Sequence, residues 1–303
     1  MAKSEIKPPV KESTQAGQEV KATGHSDVQV AVVESSTELI KRGQLMDMFE
    51  ADAGSGISDL SAAAFSIPFM SILQKGSPQV SKMNPKYIKG AEPGFLMNNV
   101  TGQIFPGEID EEGRGGLSFI PCMCQLSVVR WKPRDSGGGL VGHYSHNDPF
   151  LKKCRKNEKG QPEDPETHDV FIDTAYHYGL SLFNEFPTFS VVSMASTQLK
   201  ASRAWNTLMK GIVKRNANGV MFNPPMYSHV YRLSTVYQSK DKYDWYGWKV
   251  ETERELSGEN KNDVQLYLTA KEFYRQIKEG LVQISAPSQE LLDEVPDDAR
   301  VPF

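Results

Sequence analysis

The sequence predicts a mainly β (α+β) domain that carries a few helices. The chain contains 18 Pro and 24 Gly among 303 residues, which favours many turns and short strands over long helices. Short apolar segments alternate with turn residues through most of its length. Aromatic residues make up 10% and hydrophobic residues 39% of the composition, which is enough for a substantial core.

Composition divides the chain into three parts. Residues 1–58 are predicted to form a flexible arm, because the first 34 are polar and lack aromatics, and the arm carries a short helix with Leu39, Met46 and Phe49 near helical spacing. Residues 59–284 hold enough apolar segments for a single folded domain. Residues 285–303 form an acidic tail behind Pro287.

Strands and two helices are expected in a definite order within the domain. The predicted strands cover 68–73, 95–97, 104–106, 117–131, 170–183, 187–194, 227–237 and 245–253. The segment 117–131 is the longest and richest in β-forming residues, so it is predicted to be central. It ends at Pro133 and a run of three glycines, which predict a mobile loop. Apolar spacing predicts helices over 201–215 and 264–281.

Charge is distributed unevenly along the chain. Residues 290–303 contain five acids and one base, a net charge of −4, which equals the net charge of the whole protein. From residue 186 to 240 there are seven Lys and Arg residues and no Asp or Glu. A basic surface beside an acidic tail is therefore predicted, and it suits a polyanionic partner.

Two regions combine cations with aromatic rings, the residue types that single-stranded nucleic acid requires. The first surrounds the glycine-rich loop, and the second is the acid-free stretch, where Phe186, Phe189, Phe222 and Tyr237 are further aromatics. The predicted DNA-binding residues are Arg130, Trp131, Lys132, Arg134, Lys152, Lys153, Arg155, Lys200, Arg203, Trp205, Lys210, Lys214, Arg215, Tyr227, Tyr231 and Arg232.

A metal site and a catalytic site are the other chemical possibilities. Cys122 and Cys124 are two residues apart, which on a regular strand places both thiols on one face, and His143, His146 and Cys154 follow. The C-x₂-C spacing of zinc sites is missing, so zinc stays an open alternative and no cofactor is predicted. Asp169 and Asp173 near His168 and His177 could hold a nuclease metal. No phosphate-binding loop or hydrolase motif is present, so we expect a binding protein rather than an enzyme.

The end of the chain resembles the acidic tip of bacterial single-stranded-DNA-binding proteins, which closes on Asp-Asp-Asp-Ile-Pro-Phe. The matching positions are Asp297, Asp298, Val301, Pro302 and Phe303. Ala299 and Arg300 are interposed, and the cation of Arg300 departs from the pattern. The resemblance implies that the tail binds replication or repair proteins, with Asp293 and Glu294 as further acidic contacts.

The body is similar to proteins of phage replication and recombination modules. The similar segments are residues 131–139, Trp-Lys-Pro-Arg-Asp-Ser-Gly-Gly-Gly, and residues 193–206, which begin Ser-Met-Ala-Ser-Thr-Gln-Leu-Lys. Together with the tail, this resemblance implies a phage single-stranded-DNA-binding protein with an OB-like barrel. Because the chain is longer than one OB-fold, extra strands and helices are expected.

The compartment and the main alternative function follow from what the sequence lacks. Three cysteines do not make a disulfide framework, and no apolar run suits a membrane span or a secretion signal, so we expect a protein of the host cytoplasm without membrane contact. A homo-oligomer is possible. The alternative is a virion structural or assembly protein, which predicts an apolar oligomer interface and no salt-dependent affinity for DNA.

Overall fold

The computed structural model describes residues 42–53, 55–56, 66–133, 136, 139–158, 160–183, 186–240 and 243–282. The chain divides into two compact units, Met1–Ser58 and Asp59–Phe303. In the first unit, helix α1 spans Arg42–Ala51, within the region where a short helix is predicted. Most of the predicted arm and all of the tail from residue 285 lie outside the described residues, so these boundaries stay predictions.

The second unit is built on a sheet that curls into a half-barrel, so the mainly β fold class is confirmed. The strand order is β13-β12-β4-β8-β9-β1-β2-β3, with β5 beside β4 and the short pair β6 and β7 beside β8. The strands are β1 Phe69–Ile72, β2 Leu96–Asn98, β3 Ile104–Phe105, β4 Leu117–Trp131, β5 Leu140–Tyr144, β6 Arg155–Lys156, β7 Pro162–Glu163, β8 Val170–Phe183, β9 Phe186–Ala195, β12 His229–Lys240 and β13 Tyr243–Glu255. A separate hairpin joins β10 Lys214–Arg215 to β11 Met221–Phe222.

Strand β4 lies inside the sheet, third along the strand order, whereas its composition predicts the central position. It pairs with β8 over most of its length and also with β12 and β5. The pairing register shifts between Pro121 and Met123, which marks a β-bulge. Gly179 on β8 lies opposite this point, and a Cβ there would come within 2.3 Å of the carbonyl oxygen of Ile120, so only glycine permits this close approach.

Each face of the sheet is covered by one helix. Helix α3, Lys261–Lys278, packs through Ala270 and Phe273 against the first hydrophobic cluster, and helix α2, Leu199–Gly211, packs through Trp205 and Met209 against the second. The first cluster also contains Ile120, Val129, Trp131, Ile172, Tyr176, Leu180 and Val191. The second contains Met70, Leu117, Phe119, Ala175, Val192, Met194, Tyr231, Leu233 and Trp248. No helix in the described part of the chain combines the length and apolarity of a membrane span.

Helix α2 is shorter than its sequence predicts. The apolar spacing predicts a helix over 201–215, whereas α2 ends at Gly211 and Lys214 and Arg215 form strand β10. The side-chain amide of Asn223 donates hydrogen bonds to the carbonyl oxygens of Lys210 (3.0 Å) and Ile212 (2.8 Å), which satisfies acceptors at the helix end. The cap therefore comes from Asn223, more than ten residues further along the chain, so the sequence around the helix end does not predict it.

Candidate nucleic-acid interface

Helix α2 presents a basic side to solvent because its other side is firmly buried. Trp205 is 1% exposed and stacks on His177, with 4.4 Å between ring centroids. The same indole makes edge contacts with Tyr231 at 5.5 Å and Phe119 at 6.0 Å. These contacts fix the rotation of the helix. The opposite side is exposed and carries Lys200, Arg203 and Lys210.

The hairpin of β10 and β11 follows α2 directly and exposes apolar side chains between cations. Its turn is Asn-Ala-Asn-Gly, in which the Asn216 side chain accepts hydrogen bonds from the backbone of Asn218 and Val220, and Gly219 adopts φ 81°. Phe222 is 44% exposed in this hairpin. Three aliphatic side chains are at least half exposed as well: Val213, Val220 and Met221. The register places Phe222 opposite Lys214, and an exposed ring next to a cation suits stacking on an unpaired base.

The cations of α2 and the hairpin include four that have no acidic partner among the described residues. None of the four exposed side chains of Lys200, Arg203, Lys210 and Arg215 forms an ion pair with a described residue. By contrast, many cations elsewhere are paired: Lys75 with Asp244, Arg114 with Asp110, Arg254 with Asp263 and Arg275 with Glu272. We call Lys200, Arg203, Lys210, Arg215 and Phe222 the α2–hairpin surface.

Two residues near this surface that are predicted to contact phosphates form ion pairs with acidic side chains. Lys214 contacts Glu255, and the Arg232 guanidinium lies 3.6 Å from Glu253. Both acids belong to β13, the strand that pairs with β12. Lys214 and Arg232 therefore contribute less net positive charge than the acid-free sequence around them predicts.

A second group of cations lies at the far end of the same sheet face. Lys132, Lys152, Lys153 and Arg155 are exposed and form no ion pair with a described residue. Lys152 and Lys153 belong to the 3-10 helix Pro149–Lys153, whose Phe150 ring contacts Phe171. Phe171 and His177 lie on one side of β8 because they are six residues apart, a spacing of about 20 Å. The two basic groups thus share one face.

Arg130 has a structural role at the same end of the sheet as these cations. Its guanidinium donates to Asp169 at 2.6 Å and to Asp164 at 2.7 Å, and its side chain is only 13% exposed. The guanidinium carbon also lies 5.0 Å from the centre of the Phe150 ring. Two carboxylates pair with Arg130, so we leave it out of the proposed interface, and its predicted phosphate contact stays a prediction.

The alternative metal and catalytic residues meet in pairs, such as Cys124 with His177 at 3.8 Å, and not as one site in the described part of the chain. The bulge in β4 places Cys122 in the first hydrophobic cluster and Cys124 against the second, so the predicted shared face is wrong. The remaining candidates are held by separate partners: Cys154 by the Phe150 carbonyl, His143 by the Tyr176 ring, His146 by Asp173, Asp169 by Arg130, and His168 by Glu163. Among the described residues, no group of three or more His, Cys, Asp or Glu side chains could hold a metal ion.

His177 and Ser202 form a close pair that resembles part of a catalytic triad. The Ser202 hydroxyl lies 2.9 Å from Nε2 of His177. Burial lowers the pKa of His177 to about 3, so the imidazole is neutral at physiological pH. Its Nδ1 has no hydrogen-bond partner in the described structure, and an orienting acid is thus missing. The pair contributes to the packing of α2 on the sheet.

A family model described as Pam3 phage gp34-like protein matches residues 34–283. The chain belongs to the Pam3 phage gp34-like family. The expected bacteriophage origin is confirmed by this membership. The match covers the whole described body and ends before the acidic tail. Neither a curated protein nor a solved structure matches the chain.

Several aromatic residues of this Pam3 phage gp34-like protein lie where no base can reach them. Trp131 is 4% exposed, Trp205 1% and Tyr231 0%, so their predicted stacking on bases is wrong. Each ring packs in the hydrophobic core instead, where large aromatic side chains are commonly found. Tyr227 is half-buried, and its ring contacts Tyr267 and Tyr274 of α3.

The other predicted site residues of the Pam3 phage gp34-like chain divide by location. Arg134 and the tail residues Asp293, Glu294, Asp297, Asp298, Val301, Pro302 and Phe303 lie outside the described residues. Phe222 is exposed on the hairpin, although its sequence context does not separate it from the buried rings nearby. The Asn-Ala-Asn-Gly turn between Lys-Arg and Met-Phe is the signal that could have identified an exposed hairpin.

Proposed function

We propose that this phage protein binds single-stranded DNA through the α2–hairpin surface. The observation that carries the proposal is that four exposed cations on two consecutive elements lack acidic partners among the described residues. Unpaired cations bind phosphates with release of counterions and without first breaking an ion pair. Phe222 supplies a partly exposed ring next to Asn223, whose side chain contacts the end of α2.

The exposed ring favours single strands over duplexes. In a duplex the bases are already stacked on one another, whereas an unpaired base gains about 1 to 3 kcal/mol from an aromatic platform. The cations follow the backbone and read no base edges, so sequence preference is weak. The second basic group, about 20 Å away on the same face by strand spacing, extends the path of the DNA backbone.

The role that fits these properties is protection of single-stranded DNA during phage replication or recombination. The curled half-barrel is compatible with the OB-like barrel of single-stranded-DNA-binding proteins. We propose that this protein is related to them, because both its sheet and its acidic tail are similar to theirs. The acidic tail would recruit replication or repair proteins. Binding and protection require no chemical step, in keeping with a non-enzymatic role.

Titration of a fluorescent oligo-dT by anisotropy tests the proposal. With at least four phosphate contacts, the affinity for single strands is expected to fall at least about 50-fold between 50 and 200 mM salt. A duplex of the same length should compete poorly. An affinity that does not change with salt, or no binding at 50 mM salt, would contradict the proposed function.

The tail gives a separate prediction. Residues 290–303 have a net charge of −4, so they should compete with phosphates for the unpaired cations. Deleting residues 293–303 is expected to raise the affinity for oligo-dT a few-fold at 50 mM salt. The effect should be smaller at 200 mM, because salt screens the attraction between the acidic tail and the cations.

Deleting Phe303 alone should leave DNA affinity unchanged, since the residue carries no side-chain charge, and should weaken binding of partner proteins. Capture experiments from phage-infected cell lysate compare the full chain with the chain that lacks Phe303. Identical sets of captured proteins would show that the tail does not recruit partners through its last residue.

The alternative role in virion structure or assembly would use the exposed apolar residues in and next to the same hairpin. Val213, Val220 and Met221 are each at least 50% exposed, and apolar side chains of this kind also suit an interface between protein copies. That role predicts an oligomer whose formation depends on the hairpin. Light scattering of the wild type and a Val220→Ser/Met221→Ser variant, together with the DNA titration, separates the two functions.

A further inference from the structure

A groove of about 600 Å³ lies beneath the stem of the β10–β11 hairpin. Its apolar lining comes from four elements of the fold: Met123 on β4, Met209 on α2, Met226 before β12, and Tyr274 on α3. Ile212, at the end of α2, closes one side. The volume lies within the range of small-molecule sites and exceeds that of a single nucleobase, so purines and pyrimidines both fit.

One stripe of α2 contributes two polar side chains to the groove, and Asn223 and Ser228 contribute two more. Asn206 and Lys210 both line the groove, and Arg203 lies one turn earlier on the same side of the helix. The Asn206 amide nitrogen lies 3.4 Å from the sulfur of Cys124, and its carbonyl oxygen forms no hydrogen bond with a described residue. An amide in an apolar groove can pair with the edge of a base.

The groove carries no negative charge of its own among the described residues. None of its lining residues is Asp or Glu. Burial raises the pKa of the Cys124 thiol, so this lining residue is neutral at physiological pH. Tyr231 also lines the groove, and its buried hydroxyl has no hydrogen-bond partner in the described structure. Lys210 is the charged residue of the lining and lies exposed without an ion pair to a described residue.

We propose that this groove takes one base of the bound single strand, with the adjoining phosphate on Lys210. The inference rests on the proposed function and adds to it a specific contact. A strand that follows the α2 stripe meets Arg203, then the mouth of the groove at Asn206, then Lys210. Methionine and tyrosine walls contact the faces of a base without selecting one base over another, which agrees with weak sequence preference.

Cys124 allows this to be tested directly, because the chain has three cysteines and two can be removed. In a Cys122→Ala/Cys154→Ser variant of the full chain, N-ethylmaleimide at pH 8.5 reacts with Cys124 alone. Saturating dT20 is expected to slow this labelling at least about 10-fold by filling the groove. An abasic strand of the same length, also at saturation by anisotropy, should leave the rate within about twofold.

The outcomes separate the groove from the function. Failure of dT20 to bind contradicts the proposed function, and the groove assignment falls with it. Bound dT20 that leaves the labelling rate unchanged, or an abasic strand that protects Cys124 equally, overturns the groove assignment while DNA binding stands.

A pair of Asn→Ala substitutions gives an independent measurement. Asn206→Ala is expected to weaken binding of dT20 about 5-fold and leave the abasic strand unaffected, because only the base loses a hydrogen-bonding partner. Asn262→Ala, at an exposed position of α3, should change neither. Equal losses for both strands in Asn206→Ala would mean that Asn206 acts on the backbone or on the fold and would contradict a base in the groove.

Discussion

Replacing Lys200, Arg203, Lys210 and Arg215 together by Ala is expected to lower the affinity for oligo-dT several hundred-fold at about 0.1 M salt. Each lost phosphate contact removes about 0.7 from the slope of log affinity against log salt for single strands, and four contacts remove about 2.8. The loss should be similar for all sequences, since these cations contact the backbone. Anisotropy titrations across a salt series measure both quantities.

The matched control removes four cations that are already paired. Replacing Lys75, Arg114, Lys249 and Arg275 by Ala gives the same change in net charge, but each of these side chains contacts an acid. A loss of less than about threefold is expected, because exposed ion pairs contribute little net positive charge to a ligand. If the control variant lost as much affinity as the first, binding would depend on total charge rather than on the α2–hairpin surface.

Replacing two aromatic residues of the same region is expected to change different properties, stability for Trp205 and DNA affinity for Phe222. Trp205→Ala should lower the free energy of unfolding by about 3 to 5 kcal/mol, because it removes a buried indole that contacts His177 and Tyr231. Phe222→Ala should change stability by less than about 0.5 kcal/mol, since the ring is 44% exposed. Its effect should fall on DNA affinity, at about 1 to 3 kcal/mol.

Urea denaturation and anisotropy titration of both variants check this pair. The comparison distinguishes the ring that positions α2 from the ring that contacts DNA. A Trp205→Ala variant that keeps its stability and loses DNA affinity would restore the assignment predicted from sequence and would place the indole at the interface.

The sequence predicted the sheet well and the site only in part. Strand β4 was recognisable because fifteen consecutive residues favour extended structure and end at a proline and glycines. The end of α2 was missed because Asn223, which satisfies carbonyl groups there, is distant along the chain. The β4 bulge was also invisible, and it separates Cys122 from Cys124 although their spacing predicts one face.

Residue type alone could not decide which cations and rings face solvent. Arg130 follows a run of β-forming residues and precedes Trp131, yet its acidic partners lie 34 and 39 residues further along the chain. Trp205 is flanked by basic residues in sequence, but helical spacing directs it to the core. The acid-free stretch remains informative, because it identified the segment that contains four unpaired cations.

Hydrogen exchange of the full chain with and without dT20 tests the central claim most directly. The strands of the β10–β11 hairpin are only two residues long, so their amides should exchange rapidly in the free protein. Bound DNA is predicted to slow exchange in residues 199–223 and to leave β2 and β3, at the edge of the sheet, unchanged. Protection confined to other parts of the sheet, or no protection at saturating dT20, would contradict binding at the α2–hairpin surface.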